Sequence, residues 1–327
     1  MITAPRISLA RLPTALEPLD RLSEAVGGPR IWIKRDDTTD TPGCGNKLRK
    51  LEFSVGQALA DGADTLITCG GSQSNHCRAT AMVAAKLGLK CRLLLRGRPG
   101  NDGNQLLDSL FNADMNYVDG TGWQQLDEHL GRLADEVRNL GGTPFVIPTG
   151  ASDEIGMWGY IAASEELSAD FAAAGINPGA LISATGSGGT LAGLVVGREM
   201  FGLKPEVIAF NVCDDEAWFV NKISTDIALW ENRYDAAAGD TRINVIDGYV
   251  GPGYGRADKP VYDTIRRVAA TEGVILDPVY SGKAFNAMLT ELAQGRFDGM
   301  NDIVFLHTGG IFGIYPHRDL LSADAGP

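Results

Sequence analysis

The sequence predicts an α/β fold in which parallel strands are joined by crossover helices. From residue 51 onward short apolar runs alternate with segments of helical period. Glycine-containing loops follow several of these runs and lead into a helix or end the sheet, where α/β folds bind ligands. Hydrophobic residues at 44% and charged residues at 21% are globular proportions, and 327 residues accommodate about two domains. Glycine supplies 41 residues, about 13% against a usual ~7%. The excess sits in short clusters, which points to loops with tight backbone requirements.

Residues 65–68 (TLIT) read as a buried strand, followed by the loop CGGSQSN and an Ala-rich helix through ATAMVAAKLGL. Residues 91–95 form the next strand. Trp123, Leu126, Leu130, Leu133 and Val137 lie at helical spacing on one face, which predicts a helix packed on a sheet, and residues 144–147 resume the strand rhythm. A second set begins with residues 180–183, the cluster TGSGGT and the helix-like LAGLVVGREM. Strands are then expected at 206–212, 274–276 and 303–306, the last ending in HTGG. Residues 214–259 are Asp/Gly/Tyr-rich and poorly periodic, so a long irregular excursion is expected there. Neither an internal repeat nor a Ser/Gly linker marks a domain boundary.

Composition narrows the function. The 29 basic and 41 acidic residues leave a net charge of −12, and no Lys/Arg-rich run could track a phosphate backbone, so nucleic acid is not expected as a partner. No stretch approaches the ~18 apolar residues of a membrane span, and the first residues lack a signal-peptide core. A soluble, cytoplasmic protein with no membrane partner is expected. Cys44, Cys69, Cys77, Cys91 and Cys213 contain no CxxC and are odd in number, against a disulfide framework. The four histidines have no ligand spacing, so no metal site is expected.

Three loops could carry chemistry. In TGSGGTLAG, Thr185 to Gly193, several small residues let backbone N–H groups converge on one anion at a helix start. The dinucleotide pattern G-x-G-x-x-G meets Leu191 at its third glycine, and no lysine follows as a P-loop needs, so a phosphate site remains. In GGSQSN, Gly70 to Asn75, one residue suffices as a helix cap, and the surplus of hydroxyl and amide groups suits a carboxylate. The third loop, GNKLRK, places Lys47 just before a helix with apolar Leu51, Val55 and Leu59. Taken alone, such a lysine reads as a solvated surface charge.

Taken together, KRDDTTDTPGCGNKLRKLEF, GGSQSNHCRATAMVAAKLGL, TGSGGTLAGL, DPVYSGKA and HTGG resemble the D-cysteine desulfhydrase and 1-aminocyclopropane-1-carboxylate deaminase family. These are pyridoxal-phosphate enzymes of the tryptophan-synthase-β type, and the similarity runs in order from about residue 8 to 315. The resemblance implies two three-layer α/β domains with the cofactor in the cleft between them: 1–48 with 160–327 as the large domain and 49–159 as the small one. It implies pyridoxal 5'-phosphate as cofactor, a small amino acid as substrate and a homodimer.

By the same resemblance Lys47 forms the Schiff base with the cofactor and Lys50 helps hold its phosphate, together with Gly186, Ser187, Gly188, Gly189 and Thr190. Ser74 and Asn75, with Gln73 beside them, match the segment for the substrate carboxylate and the cofactor's phenolic oxygen. Tyr280 and Tyr254 match active-site tyrosines, Tyr280 being the candidate for proton transfer. Thr308 matches the hydroxyl that meets the pyridine nitrogen in the desulfhydrase branch. The deaminase has a Glu directly after the DPVY tyrosine, where this chain has Ser281, and a hydroxyl holds a ring proton less strongly than a carboxylate. The Pro-Gly-Cys44-Gly45 segment before Asn46 is a second departure, next to the lysine.

The implied activity is α,β-elimination from D-cysteine to pyruvate, ammonia and sulfide. Alternatives are sulfite release from L-cysteate, elimination from D-serine or β-chloroalanine, cyclopropane deamination, and β-replacement or racemisation with the same groups. A two-domain small-anion-binding protein without chemistry is the alternative outside the enzymes.

Overall fold

The apolar runs form the cores of two separate sheets. The computed structural model describes residues 3–322. Its strands are β1 (Leu16–Pro18), β2 (Arg30–Lys34), β3 (Thr65–Gly71), β4 (Lys90–Arg96), β5 (Asp114–Val118), β6 (Pro144–Val146), β7 (Ala180–Thr185), β8 (Glu206–Asn211), β9 (Asn244–Ile246) and β10 (Asp302–Leu306). The helices are α1 (Asp20–Val26), α2 (Asn46–Ala60), α3 (Asn75–Leu87), α4 (Gly103–Leu110), α5 (Gly120–Trp123), α6 (Leu126–Asn139), α7 (Trp158–Ala174), α8 (Gly189–Phe201), α9 (Glu216–Tyr234), α10 (Lys259–Glu272), α11 (Ser281–Ala293) and α12 (Arg318–Ser322).

One sheet has the order β5-β4-β3-β6, all parallel. The other has the order β1-β2-β10-β7-β8-β9, parallel except for β1. Helices cover both faces of a parallel sheet, and the central strands are accordingly apolar without alternation. All six residues of β7 are buried, as are the first six of β3. In the larger sheet β10 lies between β2 and β7, with Ile303 opposite Ile31 and Ala180, so the two ends of the chain meet there.

Three expectations are corrected. Residues 274–276 form no strand; Val274 and Leu276 pack in the core beside the larger sheet, and the Ile275 carbonyl meets His307 Nε2 at 3.0 Å. The stretch 214–259 is not irregular throughout, because α9 and β9 lie within it. Buried Phe219, Ile223, Ile227, Trp230 and Tyr234 recur every three or four residues along α9, a period masked by the polar residues around them. The stripe from Trp123 to Val137 packs on β3 and β4 as expected, but on two helices, with a break at Gln124 and Gln125.

A buried ionic cluster fixes α2, the helix that carries Lys47 and Lys50. Arg49 grips Asp36 through Nε and Nη2 (both 2.8 Å) and Glu166 through Nη1 (2.9 Å) and Nη2 (2.8 Å). Lys34, at the end of β2, reaches Glu166 and Asp170 on α7, each at 2.5 Å. The Tyr160 hydroxyl donates to Asp36 at 2.6 Å. Burial works to raise the Glu166 carboxyl, but Arg49 and Lys34 outweigh it and hold it at about 2.

Removing one partner of such a cluster leaves buried charge uncompensated, so Glu166→Gln is expected to cost about 2–4 kcal/mol, read as a fall in Tm at neutral pH. The folded-state pKa is below the unfolded value of ~4.3, so Glu166 stabilises the fold fully above that value and less as pH falls toward 2. The variant should therefore lose less stability than the wild type on acidification through that window. Parallel acid limbs in the two proteins would contradict this role.

Candidate active site

The carboxyl ends of both sheets open onto one cavity of about 550 Å3, lined from the smaller sheet by Cys69, Gly70, Gly71 and Arg96 and from the larger by Gly186, Ser187, Cys213 and Asp214. A narrower recess continues from it between Lys47, Asn75, Gly186, Gly188, Tyr280 and Thr308. The edge where strands end and helices begin is where α/β folds place ligands.

Lys47 stands in the first turn of α2. Gly45 precedes it with φ 108°, and a Cβ there would come within 2.6 Å of the Thr308 carbonyl. That carbonyl accepts the Asn46 N–H at 3.1 Å, so α2 and the end of β10 are held against each other. Among the described residues Lys47 Nζ has no hydrogen-bond or ion-pair partner. It opens onto the cavity, and burial lowers its pKa to about 8. Lys50, one turn later, is fully buried and donates to Ser152 Oγ at 3.1 Å. Burial, and then the neighbouring Lys47, drive its pKa well below the usual lysine range. His76, under the same burial and the same two lysines, is pushed well below its ordinary value.

The glycine loop turns into α8 through Gly188 at φ 87°. Ser152 sits beneath it: its Oγ accepts the Gly189 N–H at 3.1 Å and lies 2.8 Å from Ser187 Oγ. Thr190 Oγ1 accepts from Asn46 Nδ2 at 2.9 Å. This leaves small residues and a helix N-terminus bordering the recess, with Lys47 lining it and Lys50 behind the loop against Ser152.

The remaining candidates divide. Ser74 caps α3 by accepting the Cys77 N–H at 3.2 Å and lines the larger cavity. Asn75 lines the recess. Gln73 does not reach either space, since Nε2 donates to the Asp102 carbonyl at 3.0 Å and Oε1 accepts the Asn104 N–H at 2.8 Å. Lys50 does not line them either and acts on the loop through Ser152.

Tyr280 borders both spaces, and its hydroxyl is hydrogen-bonded to that of Tyr254, the two rings meeting edge-on at 5.9 Å. Burial raises the Tyr254 phenol to about 12 and the Tyr280 phenol well above 10, so both remain protonated donors. Thr308 Oγ1 has no protein partner among the described residues and faces the recess. The Ser281 hydroxyl is occupied, donating to Asp277 Oδ1 at 2.7 Å and accepting the Asp277 N–H at 2.8 Å.

Sequence reasoning missed Ser152, Asn46 and Arg96. Asn46 had a signal in its adjacency to Lys47. Ser152 and Arg96 had none, because each becomes part of the site only when the two sheets meet.

A family model described as pyridoxal-phosphate dependent enzyme matches residues 7–309, and the chain belongs to that family. A D-cysteine desulfhydrase of Klebsiella pneumoniae is 40% identical over 325 residues, covering 96% of this chain and 97% of its own length. A D-cysteine desulfhydrase of Salmonella choleraesuis is 41% identical over 326 residues, with the same coverage. A solved structure described as an ACC deaminase homologue is 34% identical, with a TM-score of 0.90 over 98% of this chain and 96% of that one. An L-serine ammonia-lyase of Rhizomucor miehei shares the fold at 17% identity and a TM-score of 0.70, covering 99% of this chain and 100% of its own.

The residues present fit the family's cofactor. A buried lysine and a half-buried one, with no carboxylate bound to either among the described residues, beside a glycine loop at a helix N-terminus, make a site suited to an anion. Glycine lets the loop approach its neighbours closely: a Cβ on Gly186 would stand 2.9 Å from the Tyr280 ring, and one on Gly189 would stand 2.6 Å from Ser152 Oγ beneath the loop. Ser152→Ala removes the oxygen shared by Lys50, Gly189 and Ser187. It is expected to weaken pyridoxal phosphate affinity by about tenfold, roughly 1.4 kcal/mol, with unchanged far-UV circular dichroism. Unaltered affinity in an absorbance titration would remove Ser152 from the site.

Proposed function

We propose that the protein is a β-lyase that eliminates the β-substituent of a small amino acid, with D-cysteine as first substrate, giving pyruvate, ammonia and sulfide. The observation that carries the reading is Lys47, an unpartnered and desolvated amine placed between a phosphate-type loop and a pair of protonated tyrosines. The desulfhydrases of Klebsiella and Salmonella, similar over nearly the whole chain, support the choice of substrate.

In this reading the loop Gly186, Ser187, Gly188, Gly189 and Thr190 holds the cofactor phosphate, with Lys50 acting through Ser152. Asn75 and Thr308 face the cofactor ring, and Ser74 binds the substrate carboxylate. Bound pyridoxal phosphate supplies an electron sink for the pair left at the α-carbon. Lys47 Nζ takes the α-proton, which its lowered pKa permits near neutral pH. The carbon–sulfur bond then breaks with its electron pair on sulfur, and the Tyr280 hydroxyl delivers a proton to the departing group. Tyr254, hydrogen-bonded to Tyr280, keeps that hydroxyl in place. Released aminoacrylate hydrolyses to pyruvate and ammonia.

A second reading, elimination of sulfite from cysteate, is favoured by Arg96. Its guanidinium lines the cavity with no ion pair among the described residues and sits over the rings of Trp123 (5.2 Å) and Tyr254 (5.8 Å). Ring-opening of a cyclopropane is the less supported reaction, because no carboxylate lines the recess beside Thr308 among the described residues. A cytoplasmic homodimer completes the proposal. Five unpaired cysteines suit a reducing compartment, and the outward Leu106 and Leu110 of α4 suit an interface.

A steady-state panel of both enantiomers of cysteine, serine and cysteate, with β-chloroalanine, scored by pyruvate, tests the reading. D-cysteine is expected to give the highest kcat/KM, and pyruvate from none of them would overturn it. Lys47→Ala is expected to lower turnover by roughly 10³-fold or more and to abolish borohydride labelling of the holoprotein. Label on another side chain would displace Lys47 from its role. Because Lys47 would have to be unprotonated to hold the cofactor covalently, uptake of pyridoxal phosphate by apoprotein should accelerate with pH through a midpoint near 8, not near the ordinary 10.5. Stopped-flow absorbance across that range checks it.

A further inference from the structure

Arg78 on α3 is fully buried and makes no ion pair among the described residues. A guanidinium in that position is costly unless its donors are well used. Nη1 donates to Asn75 Oδ1 at 3.0 Å and to Asn104 Oδ1 at 2.7 Å. Nη2 donates to the Cys44 carbonyl at 2.7 Å, three residues before Lys47, and approaches Cys44 Sγ at 3.6 Å. The Phe312 ring lies 4.9 Å from the guanidinium carbon. Nε has no partner among the described residues, and the carboxyl of Asp108 on α4, which burial raises to about 7, has no hydrogen bond at either oxygen.

These contacts fix the orientation of the Asn75 amide. Arginine has no acceptor, so the atom of Asn75 that meets it must be the oxygen. Asn104 Nδ2, itself oriented by the Gln73 carbonyl at 2.8 Å, donates to the same oxygen at 3.1 Å. With Oδ1 held by two donors, Asn75 Nδ2 has no protein partner among the described residues, and Asn75 lines the recess. Its N–H is polarised by a charge-assisted bond on the far side of the amide.

We propose that Arg78 is a positioning residue that acts through Asn75: it locks the amide with its N–H groups toward the bound cofactor and ties the loop before Lys47 to the same point. The inference rests on the recess being the cofactor site.

A double-mutant cycle on pyridoxal phosphate affinity tests it, measured by absorbance titration of apoprotein, with thermal melting to check folding. Arg78→Gln is expected to weaken binding by about tenfold or more with Asn75 present, and by less than about twofold in an Asn75→Ala background. Arg78→Lys, which keeps the charge but loses the fork, should remain as defective as the glutamine variant. Equal losses in the two backgrounds, full rescue by lysine, or no loss at all would overturn the assignment. Should Arg78→Gln not fold, Asn104→Ala removes the second donor to the same oxygen with the guanidinium in place. Coupling to Asn75→Ala is then expected, and strict additivity overturns the lock. A wild type that takes up no pyridoxal phosphate would fail the cofactor reading itself, and this inference with it, whereas normal uptake with an additive cycle fails the inference alone.

Discussion

Two amines one helical turn apart, Lys50 fully buried and Lys47 half-buried at the cavity wall, have no carboxylate bound to either among the described residues, and much of the architecture answers to that. Burying one cation costs several kcal/mol, and a second beside it adds repulsion. The protein relieves this partly by lowering both pKa values, and burial, with the two lysines adding to it, pushes His76 well below its ordinary value. What remains is a region of positive potential, increased by the N-terminus of α8, that a dianionic phosphate would neutralise. An apoprotein built this way stores part of its cofactor affinity as unfavourable electrostatics.

Such a site needs a rigid frame, and α2 is held on its opposite face by charge. Arg49, between Lys47 and Lys50 in sequence, points away from the cavity into Asp36 and Glu166, and Glu52 caps the N–H groups of Leu9 and Ala10 at 2.9 Å. The helix buries Asn46, Arg49, Lys50, Glu52 and Ser54 along with Leu48 and Leu51. Packing of apolar side chains alone would let such a helix shift along its axis. Directional bonds on one side and the close approach of Gly45 to Thr308 on the other leave it a single position.

The same feature limits what the sequence reveals. Strands 65–68, 91–95, 180–183 and 303–306 are legible because both faces of a parallel sheet are buried, which compresses apolar residues into uninterrupted runs. The three loops of the site are legible because close backbone approach leaves a glycine signature. Lys47 is not legible from local pattern: a lysine at a helix start reads as a surface charge, and only the ordered set of motifs singles it out. Ser152 and Arg96 are invisible for a different reason. Their place in the site is created by contact between two sheets remote in sequence, so nothing near them carries the information. The missing strand at 274–276 shows the converse, since Val274 and Leu276 are buried against a sheet that their segment does not join, with Ile275 exposed between them.

The choice between reactions turns on two hydroxyls of similar chemistry and different freedom. Ser281 follows Tyr280 directly, yet its oxygen is closed into a ring of bonds with Asp277, whose carboxylate also receives the N–H groups of Val279, Tyr280 and Ser281 at 2.8–3.0 Å. That arrangement satisfies the start of α11 and engages both oxygens of Asp277, which is 1% exposed. Thr308, from the end of β10, is the hydroxyl left facing the recess. A cofactor ring nitrogen that met this hydroxyl rather than a carboxylate would not be held protonated, so the cofactor would withdraw electrons less strongly. Elimination tolerates this because the departing group accepts the electron pair, whereas a ring-opening with no such group does not. Position 281 thus bears on the reaction by what it cannot supply, and Asp277 enforces that by binding its hydroxyl.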